Sequence, residues 1–336
     1  MLICIWIILC SQKKITMMLH NFCTLFDSNY LTRALAMYHS IKATGENFVL
    51  YVVCFDDLAY KILIKCDLPN LVAIPLDKFE SAQLLAVKGD RTAGEYCWTC
   101  TSHVIRYVLD TYHLSEVTYL DADLYFYERP SILLDEFRQS GASVLITPHR
   151  YTRQYDQSAT SGIYCVQFMT FKADKRGLEV LQWWQDRCLE WCFRRIEDGK
   201  FGDQKYLDDW PHRFEGIHVL EHLGGGVAPW NIQQYLLKKR LNKIYVNDFL
   251  LIFYHYHGYK NYDDDSHDLG SYKLSRAAVK LLYKPYIQAL KLAHKEAVNV
   301  KPSFNPDRPQ ISRTWKTPLG NIRRWFRGEF NEYKSL

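Results

Sequence analysis

Two carboxylates that follow a predicted strand are the residues of this sequence best suited to metal chemistry. Asp121 and Asp123 come directly after the segment 117–120, and residues 124–126 are apolar. Acidic side chains this close repel each other, and apolar flanks solvate them poorly, so they need a shared cation. Hard divalent ions such as Mn²⁺ and Mg²⁺ accept oxygen ligands and bridge to phosphate oxygens. The pattern predicts a metal and phosphate site, with an Asp pair that caps a turn as the alternative.

A second polar cluster ends the last predicted strand, residues 250–256. His255 and His257 lie two positions apart, and Gly258 and Lys260 follow them. Imidazole is a common ligand of borderline metals, glycine lets a backbone approach a phosphate closely, and a lysine ammonium neutralises a departing diphosphate. The cluster therefore predicts further metal and phosphate ligands. A pair of surface histidines in a loop is the alternative.

The elements that must position these residues follow an alternating pattern. Apolar runs alternate with helical patterns through the first half of the chain, which is typical of an α/β sheet with crossover helices. The segment 48–55 is apolar without interruption, as expected of a strand buried on both faces. The predicted strands are 19–26, 48–55, 71–75, 117–120, 143–147, 162–171, 217–222, 243–246 and 250–256. The predicted helices are 30–43, 59–65, 98–111, 177–197 and 203–209.

These motifs and elements resemble the GT-A glycosyltransferases over roughly residues 19–260. The resemblance is closest to the retaining transferases of family 8 and to bacterial nucleotide-diphospho-sugar transferases. The segment 23–30 is similar to the family's opening segment, Asp121-Ala122-Asp123 to its metal-binding D-x-D, and residues 255–260 to its late His-x-x-Gly-x-x-Lys motif. Lys260 departs from that motif, because it stands two positions after the glycine instead of three.

The resemblance implies a fold and a set of ligand contacts. The fold is a GT-A, Rossmann-like α/β fold with helices flanking a mixed, mostly parallel central sheet, followed here by a basic helical C-terminal extension. Asp121, Asp123 and one of the histidines would bind Mn²⁺ or Mg²⁺. The residues that the resemblance places on the nucleotide-sugar donor are Thr24, Phe26, Asp27, Tyr30, Asp56, Arg91, Asp121, Ala122, Asp123, Gly258 and Lys260. Lys88 lies near Arg91, and Asp56 is also suited to cap the helix that follows it.

Asp203 and Gln204 match a pair that lies across the sugar from the metal in family 8. By that likeness Asp203 would hold sugar hydroxyls and Gln204 would lie near the reaction centre, whereas a helix N-cap is the alternative role of Asp203. A retaining reaction needs mainly positioning and stabilisation of the leaving group. An inverting enzyme would need a carboxylate base, for which Asp203 or Asp156 are candidates. Gly162 fits the family's Asn-Ala-Gly segment only loosely.

Three glycines at 224–226, followed by Pro229 and Trp230, predict a mobile loop with a rigid aromatic end. Such a loop can close over a donor, and Trp230 could stack on a sugar. The glycines lack the strand–G-x-G-x-x-G–helix frame of a dinucleotide site. No G-x-x-x-x-G-K-[ST] motif occurs, which excludes P-loop NTPases.

The resulting expectation is a hexosyltransferase that moves a hexose from a nucleotide-diphosphate sugar, by family likeness UDP, to an oligosaccharide or lipid-linked glycan. A sugar nucleotidyltransferase is the first alternative, but it needs a glycine-rich loop after the first strand, and residues 24–30 contain no glycine. A glycan-binding protein without activity is the second alternative. It is disfavoured because the D-x-D, the histidines and the Asp-Gln pair are all intact.

The C-terminal region differs from the rest in charge. Residues 271–336 carry 14 Lys and Arg against 4 Asp and Glu, in a chain with a formal net charge of +5. We expect a 1–17 apolar leader that need not be native, a transferase domain at 18–262 and a basic helical region at 263–336. Basic and aromatic residues at 321–330 fit an interfacial helix on an anionic membrane or a docked C-terminal helix. No nucleic-acid-binding motif accompanies the positive charge.

Ten cysteines in a chain without a cleavable signal pattern predict reduced thiols and a cytoplasmic protein, peripheral on the inner face of the membrane. Cys97 with Cys100, and Cys188 with Cys192, have spacings that could hold zinc. Both pairs lie in apolar, tryptophan-rich segments, where buried thiols are the commoner case.

Overall fold

The computed structural model describes residues 18–308 and 317–334, and the predicted leader at 1–17 lies outside them. The strands in chain order are β1 (His20–Phe26), β2 (Phe48–Cys54), β3 (Leu71–Pro75), β4 (Glu116–Leu120), β5 (Leu124–Phe126), β6 (Val144–Pro148), β7 (Tyr164–Lys172), β8 (Ile217–Val219), β9 (Leu237–Arg240), β10 (Lys243–Val246), β11 (Phe249–Leu250), β12 (Phe253–His255), β13 (Lys260–Asn261), β14 (His267–Asp268) and β15 (Glu332–Tyr333).

The helices in chain order are α1 (Leu31–Ala43), α2 (Asp57–Cys66), α3 (Leu76–Phe79), α4 (Ala82–Lys88), α5 (Ala93–Thr111), α6 (Ser131–Ser140), α7 (Ser158–Ser161), α8 (Lys175–Glu190), α9 (Trp210–Arg213), α10 (Arg276–Ala278), α11 (Lys284–Val300) and α12 (Thr317–Phe326). A 3₁₀ helix covers Gln204–Asp209, and a π-helical turn at Val279–Tyr283 joins α10 to α11. None of the helices in the described residues is long and apolar enough to cross a bilayer.

The central sheet has seven strands in the order β3-β2-β1-β4-β7-β6-β8. Only β7 runs antiparallel to its neighbours β4 and β6, and the other pairs are parallel. The strands are apolar almost throughout because both faces of the sheet are covered by helices. This arrangement confirms the predicted α/β class with a mixed, mostly parallel sheet.

Each face of the sheet has its own hydrophobic core. On one face, α1, α2, α6 and α11 bury their apolar side chains against the sheet. On the other face, α5 and α8 pack against the same strands, with Trp184 and Trp210 fully buried between them. Burial at about 25 cal/mol per Å² of apolar surface makes these two layers the main source of stability. They hold the carboxyl ends of β1 and β4, where the predicted site begins.

A short antiparallel pair, β5 with β12, crosses the end of the central sheet. Leu124 pairs with His255, and Phe126 pairs with Phe253. The pairing brings the chain just after Asp123 alongside a strand more than a hundred residues later. It is therefore the element that joins the two polar clusters of the sequence.

The chain after residue 262 packs on the strands and helices before it. Tyr283, Tyr286 and Leu290 lie in the same core as α1 and β1. The hydroxyl of Thr32 donates a hydrogen bond to Asp307, and the imidazole of His39 lies 2.7 Å from a carboxylate oxygen of Glu296. The described residues of the C-terminal region thus share a core with the central sheet.

Several predicted elements differ from the observed ones at their ends. The predicted helix 98–111 begins earlier, at Ala93, because Thr92 and Glu95 form a capping box that starts α5. The predicted helix 177–197 ends at Glu190, where Trp191 turns to an extended conformation. The predicted strand 250–256 is divided, and only residues 253–255 pair with β5.

Candidate active site

Backbone hydrogen bonds fix the two carboxylates at the end of β4. The Asp121 amide donates to the Gln167 carbonyl on β7 at 3.0 Å, and the Asp123 carbonyl accepts from the Tyr256 amide at 3.0 Å. The first bond ties the turn to the central sheet and the second ties it to the chain after β12. Both carboxylates are therefore held at the edge of the sheet by strands that are distant in sequence.

His255 completes a three-residue cluster with Asp121 and Asp123. Its Nε2 lies 3.0 Å from a carboxylate oxygen of Asp123 and 3.8 Å from one of Asp121. One ligand atom from each residue lies within 4.8 Å of the others, and this is the only such group found in the described residues. Two carboxylates and one imidazole are a donor set that suits Mn²⁺ or Mg²⁺.

The ring of His255 is oriented from behind by Gln167. Nδ1 of the imidazole lies 2.8 Å from the side-chain oxygen of Gln167, a fully buried residue of β7. An amide oxygen only accepts hydrogen bonds, so Nδ1 carries the proton. Nε2 is therefore the nitrogen that faces Asp121 and Asp123, and it is the atom that would bind a metal after losing its proton.

The carboxylates respond differently to burial. Burial raises the pKa of Asp121 to about 6, against the opposing effect of His255. Burial alone would also raise the pKa of Asp123, but the neighbouring His255 outweighs it and lowers that pKa to about 2. Burial alone would lower the pKa of His255, yet the carboxylates, Asp123 foremost, raise it well above its usual value. The site therefore attracts positive charge to the point that all three side chains face.

Asp203 is close enough to Asp121 for their charges to interact. It is 5% exposed, and the indole Nε1 of Trp184 donates to its carbonyl at 2.9 Å. Burial, reinforced by the charge of Asp121, raises the pKa of Asp203 to about 7. Its side chain makes no capping bond to the 3₁₀ helix that follows, so the alternative role as an N-cap is not what the structure shows.

Gln204 is fixed beside the loop that precedes β7. Its amide nitrogen donates to the Ser161 carbonyl at 2.6 Å. Lys205 holds the same loop through the Ser158 carbonyl at 2.8 Å and pairs with Asp208 at 2.7 Å. Gly162 is confined there, since its φ is +101° and an added Cβ would lie 3.0 Å from a carboxylate oxygen of Asp208.

No family model matches the chain. It is 29% identical to the uncharacterized protein YfnD of Bacillus subtilis (strain 168) over 293 residues, which cover 84% of this chain and 93% of YfnD. It is 32% identical to the uncharacterized protein YfnF of the same organism over 248 residues, covering 71% of this chain and 81% of YfnF. The chain belongs to the same family as YfnF.

Solved structures that are similar to this chain include glycosyltransferases. The galactosyltransferase LgtC, in complex with donor and acceptor sugar analogues, superposes with a TM-score of 0.51 at 11% identity, over 81% of this chain and 95% of LgtC. The glycosyltransferase GlyE of Streptococcus pneumoniae TIGR4 gives a TM-score of 0.50 at 14% identity, over 84% of this chain and 64% of GlyE. The fold is therefore the GT-A glycosyltransferase fold, which confirms the fold expected from the sequence motifs.

Two of the residues predicted along the donor nucleotide have buried side chains. Phe26 is 3% exposed and packs into the core, and the Thr24 side chain is fully buried in β1. Because β1 is a central strand covered on both faces, only the backbone of these two residues is placed to contact a ligand, and their donor-binding role stays a prediction. The exposed ring of Tyr30 remains at the mouth of the site.

Asp27 and Asp56 shape the loop between β1 and α1. Asp27 accepts from the Asn29 backbone at 3.0 Å and from its side chain at 2.7 Å. Asp56 caps α2 through the Ala59 amide at 2.7 Å and also accepts from the Ser28 amide at 2.8 Å. Both carboxylates therefore fix this loop in the present protein. Asp56 also caps α2, which was the alternative role considered for it in the sequence analysis.

The second histidine lies beside the cluster, with its ring centre 5.7 Å from that of His255, whereas Arg91 contacts another part of the fold. Arg91 donates to the Leu189 carbonyl at 3.1 Å and lies 4.0 Å above the ring of Phe193. Lys260 is exposed at the start of β13. His257 is exposed in the turn after β12 and lies outside the three-residue group, so its assignment as a metal ligand stays a prediction. The backbone turns at Gly258, whose φ is +75°, so the chain here no longer follows the direction of β12, the strand that carries His255.

Lys88, named beside Arg91 in the sequence, pairs with Glu80 at 2.6 Å. That contact, like those of Arg91, lies on the α4–α5 side of the fold.

The glycine-rich segment is a packed connection and does not have the character of a mobile loop. A Cβ added at Gly224 would lie 1.7 Å from the Leu250 carbonyl, and one at Gly226 would lie 2.7 Å from the methyl group of Thr147. Trp230 is 4% exposed, donates to the His149 carbonyl and packs edge-on against His255. The expectation of a lid with Trp230 stacking on a sugar was wrong, because the glycines serve close packing behind the metal cluster.

Sequence reasoning missed two residues of the site, Gln167 and Arg33. Gln167 is an unremarkable polar position of a predicted strand, and only the pairing of β7 with β4 and the packing of β12 show its role. Arg33 lies one helical turn after Tyr30, beyond the segment 23–30 that carried the resemblance. The feature of the sequence that could have indicated Arg33 is its position as a cation in the first turn of α1, directly after that segment.

Proposed function

We propose that this protein is a metal-dependent glycosyltransferase that moves a hexose from a nucleotide-diphosphate sugar, a UDP-hexose, to a glycan or lipid-linked acceptor with retention at the anomeric carbon. The carrying observation is the cluster of Asp121, Asp123 and His255, with Asp203 beside it in a GT-A fold. LgtC, whose structure contains donor and acceptor sugar analogues, has the same fold.

Asp121, Asp123 and His255 would hold Mn²⁺ or Mg²⁺ through carboxylate oxygens and Nε2. The ion supplies positive charge next to the departing diphosphate. Gln167 keeps Nε2 of His255 aimed at this point, and the capped loop after β1 keeps the nucleotide-binding edge rigid. These groups bind and orient the donor, which is the main requirement of such a transfer.

Asp203 and Gln204 would act on the sugar. The buried carboxyl group of Asp203 would form hydrogen bonds with sugar hydroxyls, and no cation in the described residues forms an ion pair with it. The side-chain nitrogen of Gln204 donates a hydrogen bond to the Ser161 carbonyl. Its side-chain oxygen is therefore free to face the anomeric carbon of a bound sugar. An oxygen so placed favours positive charge on that carbon as the leaving group departs.

A donor screen tests this function. The full chain is incubated with a panel of nucleotide sugars, with and without Mn²⁺, and the released nucleotide is assayed. We expect slow hydrolysis of one UDP-sugar that is lost in EDTA. Asp123→Ala should lower the rate about 100-fold or more, because several kcal/mol of charge stabilisation disappear.

Asp186→Ala is the matched control, since Asp186 is an exposed carboxylate of α8 that accepts a hydrogen bond from the Gln182 side chain at 2.9 Å. It should hydrolyse the donor at the wild-type rate. No hydrolysis of any donor, together with no metal-dependent binding of UDP, would reject the transferase and favour a glycan-binding protein of this fold.

We also propose that α12 attaches the protein to an anionic membrane surface. The helix exposes Ile322, Trp325 and Phe326 by 51%, 65% and 78% of their surfaces, in the strongly basic C-terminal region. Aromatic rings beside basic residues suit the interface of an anionic bilayer. A lipid-linked acceptor would then be presented at the same surface.

A further inference from the structure

Arg33 is held at the metal site by neutral groups. Its two terminal nitrogens donate to the Asn29 carbonyl at 3.0 Å and to the Tyr259 carbonyl at 3.2 Å. The guanidinium lies 4.8 Å from the ring centre of Tyr30. Two backbone carbonyls and one aromatic ring thus fix the direction of the cation, from residues 29–30 and from Tyr259.

The positive charge of Arg33 has no carboxylate partner in the part of the chain that the structure describes. Asp123 forms its ion pair with His255, and Arg33 forms none. Its charge nevertheless acts on Asp123 and adds to the effects that favour the ionised carboxylate. Only two of its five N–H groups are used by the two carbonyls, so a forked donor remains beside the metal cluster.

The ring centre of Tyr286 lies 5.6 Å from that of Tyr259, whose carbonyl accepts a hydrogen bond from Arg33. The hydroxyl of Tyr286, a residue of α11, is buried and has no hydrogen-bond partner within the described residues. Arg33 and Asp123 are among its electrostatic neighbours. Polar groups left without partners in a protein interior are costly, and they accumulate where a ligand supplies the missing bonds.

We infer that Arg33 binds the diphosphate of the nucleotide-sugar donor and takes the role that the sequence motifs assigned to Lys260 and Arg91. This inference rests on the proposed function. A diphosphate oxygen completes the unused fork of the guanidinium, next to the ion that Asp121 and Asp123 hold. Arginine suits this task better than lysine, because its planar fork binds two phosphate oxygens at once.

The contact strengthens as the transfer proceeds. The bond between the anomeric carbon and the phosphate oxygen breaks, and its electron pair stays on the diphosphate. The acceptor oxygen bonds to the anomeric carbon, and its proton passes to the departing phosphate oxygen. The negative charge that gathers on the diphosphate lies within reach of Arg33, which therefore stabilises the leaving group as well as the bound donor.

Binding measurements with the full chain test this role. UDP, GDP, CDP, ADP and TDP are titrated in Mn²⁺ against the wild type, and the tightest ligand is then compared with its parent nucleoside. Arg33→Gln should raise the Kd of the diphosphate about 10- to 100-fold, since a charged hydrogen-bond pair is lost. The Kd of the nucleoside should change less than about threefold, and Arg33→Lys should recover part of the loss.

Arg106→Gln is the matched control, because Arg106 is a helical arginine paired with Asp110 at 2.6 Å on α5. It should bind both ligands as the wild type does. An unchanged Kd of the diphosphate in Arg33→Gln would overturn the inference, as would an equal loss of diphosphate and nucleoside, which indicates damage to the fold. If the wild type binds no nucleoside diphosphate, the proposed function itself fails and this role of Arg33 fails with it.

Discussion

The imidazole of His255 is held between a buried amide on one side and two carboxylates on the other. Gln167 fixes the proton on Nδ1, and the distance of 3.0 Å from Nε2 to Asp123 shows where that ring is aimed. An imidazole that is already held in the right tautomer and orientation binds a metal without the free-energy cost of reorienting its ring. The metal affinity of this site should therefore depend on Gln167, which touches no metal.

The substitution Gln167→Leu tests that dependence. Leucine keeps the volume and burial of the side chain but removes the oxygen that accepts from His255. We expect the affinity for Mn²⁺, measured by calorimetry, to fall about 10- to 100-fold. Gln185→Leu, a buried glutamine of α8 on the other face of the sheet, is the matched control and should bind Mn²⁺ as the wild type does. Equal affinities in the two variants would show that Gln167 does not position the ligand.

The sequence could predict Asp121, Asp123 and His255 because each stands at the end of an apolar strand, where its chemistry is visible from its neighbours. It could not predict Gln167 or Arg33, because their roles arise from strand pairing and from two carbonyls far away in the chain. The family likeness also named Arg91 and His257, but a likeness fixes the residue type and not the direction of a side chain. Direction is set here by Phe193 for the first and by the turn at Gly258 for the second.

At the scale of elements, strands were more predictable than the ends of helices. The bounds of β3 and β10 match their predictions, because short runs of apolar and β-branched residues mark both strands. The end of α8 was overestimated by seven residues, since the apolar pattern continues through Trp191 and Cys192 after the helix has stopped. Those side chains are buried by an extended segment, and periodicity alone does not distinguish the two conformations.

The exposed apolar side chains of helix α12 lead to a prediction about membrane binding. The double substitution Trp325→Ala with Phe326→Ala should weaken binding of the full chain to phosphatidylserine vesicles about tenfold or more in a sedimentation assay. The reason is that about 2 kcal/mol or more of interfacial burial by the two rings is removed. Binding should also fall with salt, because basic residues supply the remaining attraction.

Leu292→Ala is the control for this test, because Leu292 is an apolar residue of α11 that is 70% exposed. If both variants sediment with anionic vesicles as the wild type does, α12 is not the attachment surface. Binding that is equal on neutral and anionic vesicles would contradict the contribution of the basic charge.

At the scale of the whole molecule, composition suggested a separate C-terminal region, whereas packing joins it to the sheet. The boundary at 262 was placed where the charge of the sequence changes. Charge reflects the exposed side chains of a helix and does not indicate how its buried side packs. The buried side of α11 is apolar and lies in one core with α1 and β1. Its position also brings Tyr286 next to Arg33 and Asp123, so the helix contributes to the site.

The core that α11 shares with α1 and β1 predicts one cooperative unfolding transition. Leu290 of α11 is 3% exposed, so Leu290→Ala should lower the free energy of unfolding by about 2–5 kcal/mol, whereas Leu292→Ala, two positions away, should change it by less than about 0.5 kcal/mol. Urea unfolding is followed by tryptophan fluorescence, which reports mainly on residues before 263, where seven of the nine tryptophans lie. A distant probe can sense Leu290 only if the two regions unfold together. A fluorescence transition that is unchanged in Leu290→Ala, while helical circular dichroism is lost earlier, would show that α11 unfolds as a unit of its own.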